Sequence, residues 1–81
     1  MRITVLFFAQ ARERAGRPSL ALELPDGSRV ADARAAIARR YPALEALWPH
    51  LALAVDGVLV SGDATLHTDA ELALLPPVSG G

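Results

Sequence analysis

Arg2-Ile3-Thr4-Val5-Leu6-Phe7-Phe8 is a run of β-branched and aromatic residues with no breaker, so it reads as a strand. Alternation sends Ile3, Val5 and Phe7 to one face and Thr4, Leu6 and Phe8 to the other, and both sets are apolar. A strand of that kind belongs in the middle of a sheet. Its second face must be covered by more of the chain or by another protein. Glu71 to Leu75 repeats the pattern, with Leu72 and Leu74 on one side and Ala73 and Leu75 on the other. Two such strands at opposite ends of 81 residues are expected side by side at the centre of one sheet.

What lies between them limits how the faces can be covered. Gln10 to Gly16 is short and polar, and suits a turn of helix closed by Gly16. Ser19 to Leu24 alternates with Leu20, Leu22 and Leu24 inward, and Pro25-Asp26-Gly27 forces a turn. Val30 to Arg40 is the one amphipathic helix, with Val30, Ala33 and Ile37 at helical spacing. Ser28 is expected to cap it, Asp32 and Arg39-Arg40 suit its two dipole ends, and Pro42 ends it. Ala43 to Trp48 suits another short helical turn stopped by Pro49, with Trp48 closing the core. Leu51 to Val55 alternates, Asp56-Gly57 is a hairpin turn, and Val58-Leu59-Val60 returns. Ser61 to Asp69 reads as polar and turn-rich.

The order strand, strand, helix, strand, short strand, strand, with a right-handed crossover, is an α+β arrangement. It predicts a ubiquitin-like β-grasp: a mixed five-stranded sheet with one main helix on one face. The expected inward set is Ile3, Val5, Phe7, Leu22, Val55, Leu72 and Leu74. One helix leaves the other face bare, and Leu6, Phe8, Leu59 and Leu75 on it predict a docking surface. Residues 1–75 are expected to form this domain and 76–81 an extended, flexible tail. In that tail Pro76 and Pro77 lack backbone N–H groups and stiffen the chain, while Gly80 and Gly81 have no Cβ and fit a narrow groove. Composition alone would read it as a frayed end.

Several chemistries are excluded. There is no Cys, hence no disulfide, thiolate metal site or thiol nucleophile. All eight basic residues are Arg, so no Lys offers a Schiff base or a side-chain acceptor for amide conjugation. A net charge of −1 and few aromatic residues argue against nucleic acid as a partner. No apolar run reaches membrane length and nothing at the start resembles a signal peptide, which points to a cytoplasmic protein. His50 and His67 read as isolated, no phosphate loop is present, and the serines lack a His-Asp context. On its own residues the domain is no catalyst.

Phe7-Phe8-Ala9-Gln10 followed by Arg12-Glu13, together with the closing Pro76-Pro77-Val78-Ser79-Gly80-Gly81, resembles the small subunit of molybdopterin synthase, the MoaD family of ubiquitin-like sulfur carriers. The likeness spans the whole chain. It departs near Asp56, where Asn is common in the family; both residues suit a turn. The resemblance implies a non-catalytic sulfur-donor subunit whose terminal residue, here Gly81, is adenylated by a ubiquitin-activating-like adenylyltransferase using ATP. The acyl-adenylate becomes a thiocarboxylate, which donates sulfur to cyclic pyranopterin monophosphate in molybdenum cofactor biosynthesis. The active site then belongs to the large subunit, in a heterotetramer of two small and two large subunits, and two carriers serve each product. ATP and any Zn²⁺ would belong to the activating enzyme, so this chain needs no cofactor or metal of its own.

Carried over by position, Gly81 bears the sulfur and Gly80 is the slender approach to it. Phe8, Leu59, Leu75, Pro76, Pro77 and Val78 would meet the partners, and Arg12 reads as a solvated loop charge. Other pathways share the same activation chemistry. A carrier for thiamine or tRNA thiolation, a protein modifier joined through Gly81 to target Lys residues, and a binding domain with a passive tail all stay open.

Overall fold

In the computed structural model, which describes residues 1–76, the doubly apolar strands do pair at the centre. β1 (Arg2–Phe7) runs parallel to β5 (Glu71–Leu75), with Thr4 beside Glu71 and Phe7 beside Leu74. β2 (Ser19–Glu23) lies antiparallel on the outer side of β1. β3 (Ala52–Val55) lies antiparallel on the other side of β5 and forms a hairpin with β4 (Val58–Leu59). The order β2-β1-β5-β3-β4 gives the mixed five-stranded sheet of a ubiquitin-like β-grasp.

The inner face is covered by three helical pieces. α2 (Val30–Arg40) has the extent that its periodicity predicts, and Val30, Ala33 and Ile37 are fully buried. Its cap differs from expectation. The Asp32 carboxylate accepts the Arg29 backbone N–H at 2.8 Å, whereas Ser28 is buried and its hydroxyl donates to the Pro25 carbonyl at 2.7 Å. Ser28 therefore closes the turn before the helix. α1 (Ala9–Ala15) is a full short helix that ends on Gly16 at φ 76°, whose N–H bonds the Arg12 carbonyl at 2.9 Å. A 3₁₀ segment, Pro42–His50, continues past the Trp48 expected to end it and includes Pro49, because Leu44, Leu47 and Trp48 are all drawn into the core. The Trp48 ring lies 5.2 Å beneath the Arg34 guanidinium.

Ile3, Val5, Phe7, Leu22, Leu72 and Leu74 are buried as expected, while Val55 is half-buried near the sheet edge. Leu20, Leu66 and Ala11 belong to the same cluster. Leu66 lies in the stretch read as polar; its N–H bonds the Ser28 carbonyl at 2.9 Å, which pins that loop against α2. Phe7 meets Tyr41, at the end of α2, edge to face with centroids 5.6 Å apart.

Candidate partner-docking surface

Sheet register decides what the bare face presents. Leu6 pairs with Ala73, Ala73 with Ala54, and Ala54 with Leu59, so one row crosses four strands as large, small, small, large. Side chains directly opposite one another share a face, and the row makes a trough floored by two methyl groups between two leucine ridges. Phe8 and Leu75 extend it at one end, and Glu71 and Gly57 border it. The hollow measures about 500 Å³. Phe8 is 44% exposed and Leu59 65%, and with Val58 they are the large hydrophobic side chains most open to solvent among the described residues. Alternation alone places Ala54 and Ala73 on the Leu6 face; their role as the trough floor emerges only from the pairing register.

Phe8 also borders a second hollow. β1 stops at Phe7, one residue earlier than its pattern suggests, because Ala9 adopts φ 48° and turns the chain into α1. A left-handed conformation costs an alanine about 1–2 kcal/mol. The turn places Ala11 fully in the core and leaves Phe8 facing outward. Between α1 and the 3₁₀ segment lies an apolar cleft of about 280 Å³, lined by Phe8, Ala9, Leu47, Leu51 and Pro76 among others. Phe8 thus forms the ridge between trough and cleft, and β5 passes into Pro76 beside it.

Of the residues expected to meet partners, Phe8, Leu59, Leu75 and Pro76 come together around this surface. Pro77, Val78, Gly80 and Gly81 lie outside the described residues. Arg12 stands exposed on α1, outside the trough.

His67 is not isolated. Its Nε2 meets Asp56 Oδ2 at 2.5 Å and its Nδ1 meets the Thr68 carbonyl at 2.8 Å. Both ring nitrogens face oxygen acceptors, an arrangement that only the doubly protonated ring satisfies. The Asp56 bond, then the Thr68 carbonyl, raise the His67 pKa above its ordinary 6.5. The Asp56 carboxyl lies below its ordinary 3.8, first because Oδ1 accepts the Glu71 N–H at 2.9 Å and then because of His67. Asp56 and Gly57, at φ 51° and 85°, form the left-handed hairpin turn that their sequence predicts. The pair ties this turn, and with it Leu59, to the start of β5. Eleven residues separate the partners, so no local pattern announces them. Among the described residues, no group of three or more His, Cys, Asp or Glu could hold a metal ion, and no helix is long and apolar enough to cross a membrane.

A mixed sheet of this order, covered by helix on one face and bare on the other, defines the β-grasp class. Residues 5–81 match the ThiS family, and the chain belongs to that family. It is 36% identical over 81 residues to the molybdopterin synthase sulfur carrier subunit of Arabidopsis thaliana, covering all of this chain and 84% of that protein. The protein of the same name from Chlamydomonas reinhardtii is 36% identical over 83 residues, with both chains fully covered. Among solved structures, SAMP1 from Haloferax volcanii superposes with a TM-score of 0.88 at 29% identity, again over the whole of both chains.

Proposed function

We propose that this chain is the sulfur carrier subunit of molybdopterin synthase, acting in molybdenum cofactor biosynthesis. The observation that carries the reading is the apolar trough beside the point where β5 passes into Pro76. A domain that offers a partner surface where its last strand passes into Pro76 suits a handle for the residues that follow. Full-length relatives that bear this name support the same reading.

In this reading residues 1–75 are the handle and 76–81 the working tail. A carboxylate is a poor electrophile, so the Gly81 carboxylate must first be activated. Its oxygen attacks the α-phosphorus of ATP on an adenylyltransferase, pyrophosphate leaves, and a mixed anhydride forms. Hydrosulfide from a sulfur donor then attacks the acyl carbon, AMP leaves, and the resulting thiocarboxylate carries the sulfur to cyclic pyranopterin monophosphate in the large subunit's active site. Gly80 and Gly81, lacking Cβ atoms, let the tip enter both sites. Phe8, Leu59, Leu75, Pro76, Pro77 and Val78 meet the partners, in a complex of two small and two large subunits in the cytoplasm. Metal and nucleotide belong to those partners.

Coexpression with the activating enzyme, ATP and a sulfur donor, followed by intact-mass spectrometry, tests the reading. The expected product has one oxygen of Gly81 replaced by sulfur; an unchanged mass under conditions that activate a known carrier sinks it. Likeness to small archaeal modifier protein 1 of Haloferax volcanii, 36% identical over 83 residues, favours one second reading, a protein modifier joined through Gly81 to Lys residues of other proteins. Gel-shifted conjugates that survive reducing agent would mark that outcome. With no Lys, this chain offers no side-chain amine for conjugation to itself.

A further inference from the structure

The strand register sorts the charges toward the two ends of the sheet. Where β1 and β5 begin lie Glu71, Asp69 and Asp56, with Asp69 N–H bonded to the Arg2 carbonyl at 2.8 Å. All three ion pairs among the described residues belong to this end: Arg2 with Glu23, Met1 with Asp26, and His67 with Asp56. Where β1 and β5 finish, Arg12, Arg14 and Arg17 lie within six residues of chain. Pro18 is held at this end by the bond from Phe7 N–H to its carbonyl, 2.9 Å. Arg14 donates to the Ala43 carbonyl at 3.3 Å and Arg17 to the Ser19 carbonyl at 2.6 Å, so two of the guanidinium groups are positioned by neutral acceptors. None of the three makes an ion pair with a described residue, and all three are exposed. The shallow groove beside Arg12 and Arg17 shares Ala9 with the apolar cleft, which shares Phe8 with the trough.

Glu13, exposed on α1 and lining the same groove, offsets one of the three arginines, so a chain of net charge −1 keeps a surplus of positive charge at the end where β5 passes into Pro76. We propose that Arg12, Arg14 and Arg17 form a positive collar that docks against an acidic rim on the large synthase subunit as it receives the tail. The collar orients the domain during encounter, and the trough then holds it. Charges at the edge of an apolar contact act chiefly on association rate and orientation, while the apolar contact sets the dissociation rate. Arg12, read from sequence as a solvated charge, becomes a member of an interaction surface.

The inference rests on the sulfur-carrier reading, because the test uses the large synthase subunit of the same organism. Stopped-flow association is measured from about 10 mM to about 1 M salt, over which the screening length falls from about 30 Å to about 3 Å. The wild-type association rate should drop about tenfold or more, the range seen for steered encounters. Arg12→Gln/Arg14→Gln/Arg17→Gln should associate about tenfold more slowly at low salt and with a flatter salt dependence. The triple Lys variant, which keeps the charge and loses the guanidinium geometry, should retain the wild-type rate. A wild-type rate indifferent to salt, a Gln variant as fast as wild type, or a Lys variant as slow as the Gln variant overturns the collar while leaving the carrier reading intact. Absence of wild-type binding at every salt concentration overturns both.

Discussion

Leu59 and Val58 are neighbours on β4 with the same exposure, 65%, yet they face opposite ways, because Leu59 pairs with Ala54 and Val58 with Val55. They separate an apolar contact on the trough from a general effect of losing surface hydrophobicity. Complete burial of a Leu side chain is worth about 1.5–3 kcal/mol. With 65% of the side chain still open, docking can gain about 1–2 kcal/mol from Leu59. Leu59→Ala should therefore weaken binding to the large subunit by about 5- to 30-fold. Leu59→Asp should weaken it further, since a carboxylate stripped of water without a partner costs about 2 kcal/mol or more. Val58→Ala should stay within about twofold of wild type. Titration calorimetry measures all three, and urea denaturation of the isolated chain should give stabilities within about 0.5 kcal/mol of wild type for Leu59→Ala. If Leu59→Ala binds as tightly as wild type, or if Val58→Ala loses as much, the trough is not the docking surface.

The other expectations concern both the trough and the fold beneath it. Ala73→Leu should fill the trough floor and weaken large-subunit binding by about tenfold or more, with a native circular dichroism spectrum; unchanged affinity would mean that the partner does not enter the trough. Leu74→Ala, at a fully buried position, should lower unfolding free energy by about 2–5 kcal/mol, read from denaturant midpoints. Gly16→Ala should lose about 1 kcal/mol, because the φ of 76° is the only obstacle and an added Cβ would meet no atom within 4 Å. The contribution of His67 is full below pH 6.5 and fades as pH rises through its raised pKa, while that of Asp56 is full above 3.8 and fades as pH falls through its lowered one. The stability difference between wild type and His67→Ala should thus peak between those limits and shrink as pH rises through the raised His67 pKa, and a difference flat across pH would show that the pair does not couple to folding.

Much of the fold follows from periodic signals that need no tertiary context. α2 has the extent that Val30, Ala33, Ile37 and the proline after Tyr41 indicate, and the central place of β1 and β5 follows from their two apolar faces. Signals weaken where long-range packing decides. α1 is polar, seven residues long and held by one buried residue, Ala11, so its sequence suggests little more than a turn. Pro49 suggests a stop, yet the 3₁₀ segment runs through it because Trp48 and Leu47 are already fixed in the core. Ser28 is a better cap by type than Arg29, but it sits one residue too early and bonds backward to Pro25. The apolar residues of the site could be read from alternation, whereas the trough and the Asp56–His67 pair depend on which residues the register sets opposite one another.

An exposed apolar row that reaches an edge strand invites pairing with other copies of the chain, so its surroundings bear on how it stays available. β4 has only two residues, too few to template an added strand of ordinary length. Its hairpin turn carries the Asp56 carboxylate, and Glu71 places a second acid at the trough border. A flat partner strand approaching from that side would have to strip water from the Glu71 carboxylate and from the Asp56–His67 ion pair. Among the described residues that line the trough, none at the Phe8 end is acidic, and there the trough adjoins the apolar cleft that Pro76 lines and, past Ala9, the groove that holds Arg12, Glu13 and Arg17. The acidic border thus opposes edge-to-edge self-association while leaving open the direction from which a partner could grip the trough and receive the tail together. Glu71→Gln, which removes the charge at the trough border and leaves the Asp56–His67 pair in place, should for that reason increase self-association in sedimentation velocity. If it stays as monodisperse as wild type, the Glu71 carboxylate is not what protects the edge.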